Sequence, residues 1–136
     1  AVMAQDGVLV IFPEGGSWAD VLRPARPGLA YLATTTGAQI LPIGIDGMTE
    51  LFSQLRLGRR AQVTINIGKP CGPYSAEGHG QARRDQLEAI GEEVMHKIAA
   101  LLPPERHGVF SADPARRAEA EKLQKKEEKR SCSSGH

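Results

Sequence analysis

Cysteine is scarce in this chain, with two residues among 136. Cys71 and Cys132 lie far apart and form no Cys-x2-Cys pair, so we expect reduced thiols, with neither a disulfide framework nor a zinc site. No apolar run reaches the length that spans a bilayer, and we expect no signal peptide. These absences predict a cytosolic setting.

An excess of charge of one sign is also lacking. The chain has 17 Lys and Arg against 16 Asp and Glu, a net charge of +1. Residues 1–102 hold nine basic and ten acidic residues (9 − 10 = −1), and residues 103–136 hold eight and six (8 − 6 = +2). A chain this close to neutral has no global basic field, so we expect no nucleic-acid partner.

The most informative stretch that is present is residues 7–17. Residues 8–12 are apolar and rich in β-branched and aromatic side chains, a pattern typical of a short buried strand. After Pro13 come an acid, two glycines and a serine: Glu14, Gly15, Gly16 and Ser17. Glycines allow a sharp turn and let backbone N–H groups approach a ligand. The stretch predicts a loop that holds a small anionic or polyhydroxyl group, and a plain strand-to-loop turn is the alternative.

Predicted strands and helices follow one another along the rest of the chain. A helix begins at Arg26-Pro27-Gly28 and ends near Gly37, where glycine favours a left-handed stop. The further elements are a strand over residues 39–45, a short helix over residues 48–55 and a strand with one buried face over residues 61–67. Strand, helix and strand at this spacing predict a right-handed βαβ unit with parallel strands.

The longest predicted helix covers residues 83–102 and ends at Pro103-Pro104. Its apolar residues recur every three or four positions, which predicts a helix lying on the sheet: Leu87, Ile90, Val94, Ile98 and Leu101. Residues 111–136 lack this periodicity, so we expect a charged, disordered or loosely helical tail. The predicted fold class is α/β, a mainly parallel sheet with flanking helices within residues 1–110.

Phe-Pro-Glu-Gly at residues 12–15 resembles the third conserved block of the glycerolipid acyltransferase family, which includes the 1-acylglycerol-3-phosphate acyltransferases. That block reads Phe-Pro-Glu-Gly-Thr-Arg-Ser in the family. Other segments resemble later parts of the domain in the same order, namely residues 24–33, 40–47, 67–70 and 103–110. The resemblance covers residues 7–110.

The resemblance implies transfer of a fatty acyl group from an acyl thioester, on coenzyme A or acyl carrier protein, to a hydroxyl group in phospholipid synthesis. The acceptor is a lysophospholipid or glycerol phosphate, and the third block holds its phosphate. In this family a His with an Asp five positions later acts as general base. No metal and no cofactor other than the acyl donor is expected. The resemblance also implies a cytoplasmic protein, peripheral to the inner face of the membrane.

The chain departs from the family at this base. The His-x4-Asp block belongs upstream of the third block, whereas the four histidines here all follow it: His79, His96, His107 and His136. None of them has an Asp five positions later. We therefore expect the C-terminal part of an acyltransferase domain, truncated at its N-terminal side, without a catalytic residue and inactive alone. His107 comes nearest to the motif and is predicted to be an exposed loop residue.

The second departure is in the third block, where Gly16-Ser17-Trp18 replaces Thr-Arg-Ser. The missing arginine is the residue that pairs with phosphate. Arg23 and Arg26 are the available substitutes, and Arg26 is favoured because it lies at a helix start, where free N–H groups attract anions. The predicted substrate-binding residues are Glu14, Gly15, Gly16, Ser17 and Arg26.

Several alternatives stay open at this stage. For Arg26, a solvated surface cation is an equally good interpretation. For Glu14, the alternative is a carboxylate that braces the turn. A basic cluster at Arg56, Arg59 and Arg60 is favoured as a solvated loop over a site for anionic lipid or coenzyme A phosphate. The second function is a non-catalytic lipid- or phosphate-binding remnant of the family. A third, an unrelated sugar- or nucleotide-phosphate-binding domain, would predict a Gly-x-Gly-x-x-Gly fingerprint that this chain lacks.

Overall fold

The computed structural model describes residues 6–15 and 20–133. In chain order the elements are α1 (Gly28–Thr36), β1 (Ile43–Asp46), α2 (Met48–Arg56), β2 (Thr64–Ile67), α3 (Gly80–Ala99), the 3₁₀-helices Pro104–Arg106 and Gly108–Phe110, and α4 (Pro114–Ser133). The described part of the chain is therefore mostly helical.

The sheet is antiparallel, so the prediction of an α/β fold with a mainly parallel sheet is wrong. β1 and β2 form a two-stranded sheet in which Ile43 lies opposite Ile67 and Asp46 opposite Thr64. A parallel crossover needs a connection that packs on the sheet and carries the chain back along it. No residue of α2 is buried. Because α2 does not pack back on the sheet, the chain returns beside β1 as a long hairpin.

Residues 8–12 form no strand, so that prediction is also wrong. Val8, Val10 and Phe12 are 86%, 77% and 77% exposed. A strand needs a neighbour whose backbone completes the ladder of hydrogen bonds, and the sheet of the described residues contains β1 and β2 alone. The apolar composition of residues 8–12 predicted burial, but no element of the described chain covers them.

The hairpin exposes its apolar face. Four isoleucines, paired across the two strands, are 40–64% exposed: Ile43, Ile45, Ile65 and Ile67. On the opposite face, Gly44 and Asn66 contact Leu101, which follows the end of α3. A Cβ built on Gly44 would lie 2.9 Å from the Leu101 Cβ, and the Asn66 side-chain amide donates to the Leu101 carbonyl over 2.8 Å. The predicted buried face of residues 61–67 is therefore wrong for β2, all of whose residues are exposed.

The core lies around α3. Met95 and Val94 are fully buried, and Met95 forms a cluster with Leu22 and Ala99. On α1 the buried residues are Leu29, Ala30 and Ala33. α3 packs against α1, β1 and the 3₁₀-helix Gly108–Phe110. α3 therefore packs mainly within a small helical core, and only in part on the sheet that it was predicted to cover.

The predicted end of α1 and the predicted position of α2 are confirmed. α1 ends at Gly37, which has a φ of 65° and donates its N–H to the Ala33 carbonyl over 3.0 Å. α2 covers the predicted short helix. Glycine adopts this left-handed conformation without the steric penalty of a Cβ, which is why the end could be read from the sequence.

Most of the charged C-terminal segment is helical. The Asp113 carboxylate accepts the Ala115 N–H over 2.9 Å, as aspartate does at helix starts. Ala120 is buried, and α4 packs against the 3₁₀-helix Gly108–Phe110. The domain boundary at residue 110 stays a prediction.

Candidate functional site

The predicted binding segment folds into a tight loop. The Gly15 N–H donates to the Phe12 carbonyl over 3.1 Å, and the Arg26 N–H donates to the Pro13 carbonyl over 2.7 Å. Gly15 has a φ of 69°, a conformation that favours glycine. Gly16, Ser17 and Trp18 lie outside the described residues. The two backbone bonds bring the start of α1 beside the Pro-Glu-Gly turn.

Glu14 braces this loop from inside. Its Oε2 accepts the backbone N–H of Arg23 over 2.9 Å. Burial raises the pKa of Glu14, while the hydrogen bond from the Arg23 backbone and the positive charge of Arg23 act in the opposite direction. The carboxylate is therefore engaged in holding the chain at Arg23, which supports the bracing role over direct contact with an anion.

The Arg26 side chain lies across Gly15. A Cβ built on Gly15 would lie 3.0 Å from the Arg26 Cγ and 3.3 Å from its Nε. Arg26 is exposed, and its guanidinium forms no hydrogen bond or ion pair with another described residue. The N-cap of α1, Pro27, provides no side-chain cap, so α1 begins with free N–H groups beside this cation. The structure thus brings together two of the predicted site residues, Gly15 and Arg26.

Two cavities flank the loop. The first, about 430 Å³, is lined by Phe12, Glu14 and Gly15 together with residues of the hairpin end and Arg106. The second, about 890 Å³, is lined by Arg26, which precedes α1, and by Arg84 of α3 and Arg117 of α4. Glu14 and Gly15 therefore line one cavity, and Arg26 lines the other.

An ion pair in the first cavity was missed by sequence reasoning. Arg106 Nε lies 3.0 Å from Asp46 Oδ1, and the Arg106 Nη1 donates to the Asp20 carbonyl over 3.2 Å. The two charged side chains are about a quarter exposed, 25% and 29%. The sequence presents Asp46 as part of an Asp-Gly turn and Arg106 as a residue of a loop. Sixty positions separate them, so only the fold pairs them.

No histidine lines the first cavity as the structure describes it. His107 is half-buried, not exposed as predicted, and its Nε2 lies 2.9 Å from the Leu102 carbonyl, which can only accept. His96 lies on α3 with its ring edge-on to Phe110, at 5.0 Å between ring centroids. The contact of His107 is structural, whereas His96 lines the second cavity together with Arg26.

Residues 6–15 and 20–133 contain no helix that is both long and apolar enough to cross a membrane. They also contain no group of three or more His, Cys, Asp or Glu side chains that could hold a metal ion. Cys71 is a free, partly buried thiol.

Comparison with known proteins assigns the chain to no family: no family model, no curated protein and no solved structure matches it.

Proposed function

We propose that this chain forms the acceptor-binding part of a glycerolipid acyltransferase domain, with Arg26 and Gly15 binding the phosphate of a lysophospholipid or of glycerol phosphate. One observation carries the proposal. The Arg26 side chain lies against Gly15, and its guanidinium has no hydrogen bond or ion pair with another described residue.

The chemistry of a phosphate fits this arrangement. A guanidinium donates two parallel hydrogen bonds to phosphate oxygens, and the uncapped N-terminus of α1 adds N–H donors and the positive end of the helix dipole. Gly15 has no side chain to keep a phosphate away from the loop backbone. Glu14 is a positioning residue in this proposal, because its carboxylate holds the Arg23 N–H.

The proposed reaction is acyl transfer from acyl coenzyme A or acyl carrier protein, but this chain has no His-x4-Asp sequence. Labelled acyl coenzyme A and lysophosphatidic acid therefore give no product with this chain. The absence of this sequence favours the second candidate, a non-catalytic phosphate-binding protein. Product formation by this chain would contradict that candidate.

Calorimetric titration with glycerol 3-phosphate tests the binding step. Arg26→Gln should weaken binding about tenfold or more, because a hydrogen bond to a charged group contributes roughly 1.5–3 kcal/mol. Lys122→Gln removes the same charge from the exposed face of α4 and should leave the affinity unchanged. Equal losses in both variants would show a nonspecific charge effect and contradict the proposal.

Gly15→Ala tests the contact without changing charge. The added Cβ would displace the Arg26 side chain and would also strain a left-handed backbone. Gly37→Ala is the matched control, since Gly37 has a φ of 65° and nothing within 4 Å of a built Cβ. Gly15→Ala should weaken glycerol 3-phosphate binding and Gly37→Ala should not. Circular dichroism of both variants shows whether they remain folded.

A further inference from the structure

The helix α2 carries an apolar face that nothing in the described chain covers. Met48, Phe52 and Leu55 follow one another at intervals of four and three residues, so they lie on one side of the helix. They are 46%, 72% and 57% exposed. A helix that packs on a core turns such a stripe inward, whereas α2 has no buried residue.

Three arginines lie at the C-terminal end of this stripe. Arg56 ends α2, and Arg59 and Arg60 follow the turn at Gly58. All three are exposed, and none of their guanidinium groups forms an ion pair or hydrogen bond with another described residue. Residues 48–60 contain one acidic residue, Glu50, which lies in the first turn of the helix. Positive charge is therefore concentrated at the end away from Glu50.

We propose that residues 48–60, here called the α2 surface, dock on the surface of an anionic lipid bilayer. An exposed apolar stripe beside uncompensated basic residues is the pattern of helices that lie in the membrane interface. Phe52 and Leu55 would enter the boundary between head groups and acyl chains, and the arginines would contact lipid phosphates. An antiparallel contact with a second copy would place three arginines of one chain beside Glu50 alone of the other, so most of the positive charge would stay uncompensated, whereas anionic lipid supplies many negative charges.

The α2 surface adjoins the candidate site but does not depend on it. Met48 belongs to the apolar stripe and also lines the first cavity, together with Phe12 and Glu14. Docking would therefore place the mouth of that cavity next to lipid. This inference goes beyond the proposed function, since a phosphate could bind at Arg26 with or without docking.

Vesicle flotation with the full chain tests the proposal. The chain should float with vesicles of equimolar phosphatidylcholine and phosphatidylglycerol, and much less with phosphatidylcholine alone. Arg59→Gln combined with Arg60→Gln should lower the partition coefficient about 30-fold, because each arginine near an anionic surface contributes about 1 kcal/mol. Phe52→Ser should lower it about tenfold through lost apolar burial.

Matched variants on α4 serve as controls. Lys125→Gln combined with Lys126→Gln removes the same charge, and Leu123→Ser removes a side chain that is 48% exposed. These variants should bind like the original chain. The proposal is overturned by absence of binding to the anionic vesicles, by equal binding to both lipid mixtures, or by equal losses in the α4 controls.

Two further readouts separate the alternatives. Sedimentation velocity without lipid should show a monomer at the concentrations used for flotation, and self-association abolished by Phe52→Ser would assign the surface to a second copy instead. Glycerol 3-phosphate binding should be unchanged in Phe52→Ser. A failure of membrane docking is thereby distinguished from a failure of the phosphate site.

Discussion

Apolar residues of α3 are buried, whereas those of residues 8–12 and of the hairpin, which follow equally clear patterns, are exposed. On α3, Val94 and Met95 are fully buried, whereas Val8 and Phe12 are 86% and 77% exposed. The isoleucines of the hairpin have the alternation of a half-buried strand, and they too face outward. Periodicity therefore marks which side of an element is apolar, and a partner element decides whether that side is buried.

The largest expected effect comes from Met95→Ala. This side chain is 0% exposed and lies between Leu22 and Ala99, so truncation should lower the free energy of unfolding by about 3 kcal/mol. Met48→Ala makes the same change at an exposed position and should alter stability by less than about 0.5 kcal/mol. Urea unfolding measures both, and equal effects would remove the contrast between the two regions.

A second test concerns how closely the loop before α1 is held to the core. Gly108 has a φ of 55°, and a Cβ there would collide with the Leu22 carbonyl oxygen. Gly108→Ala should therefore cost about 2–3 kcal/mol. Gly78→Ala has a similar backbone (φ of 81°) in open space and should cost about 1 kcal/mol. The same loss in both variants would mean that the approach of Gly108 to Leu22 is absent in solution.

The burial of Glu14 makes the stability of the folded chain depend on pH. Burial raises the folded-state pKa of Glu14 above the unfolded value of 4.5, so the folded protein holds this proton more tightly and loses stability as pH rises from 4.5 through the folded pKa. Glu14→Gln keeps an acceptor for the Arg23 N–H and removes the ionisation. Stability of the variant relative to the original chain should therefore increase with pH above 4.5. Urea unfolding below pH 4.5 and near neutrality checks this, and a difference that is constant or falls with pH would show that Glu14 is not desolvated.

The smallest expected change in stability is at the hairpin. Ile65→Thr combined with Ile67→Thr keeps β-branched residues at positions 60% and 64% exposed, so stability should change by no more than about 0.5 kcal/mol. The limiting solubility should increase, because exposed apolar patches promote association. A loss of several kcal/mol would show that the isoleucine face is covered in solution.

The sequence predicted what local chemistry determines. The end of α1 at Gly37 and the extents of α2 and α3 follow from glycine, proline and helical spacing within a few residues. The direction of β2 relative to β1 and the exposure of residues 8–12 depend on partners elsewhere in the chain, and both were predicted wrongly. Strand pairing carries no comparable local signal.

Part of the candidate site could likewise be predicted from the sequence, and part could not. Gly15 and Arg26 were selected from the resemblance and from their positions at a turn and a helix start, and the structure places them in contact. The pair formed by Arg106 and Asp46 was missed, since its members are 60 positions apart and each has an ordinary loop or turn context. A resemblance identifies residues within a motif, but it does not identify residues that the fold brings to it.

The claim that Arg26 and Gly15 hold a phosphate is tested most directly by an amide NMR titration with glycerol 3-phosphate. The Gly15 and Arg26 amides should shift most and saturate together, while the Lys122 amide on the exposed face of α4 should stay in place. Saturable shifts at Arg84 and Arg117 with Gly15 unmoved, or no saturable shift at all, would contradict the claim.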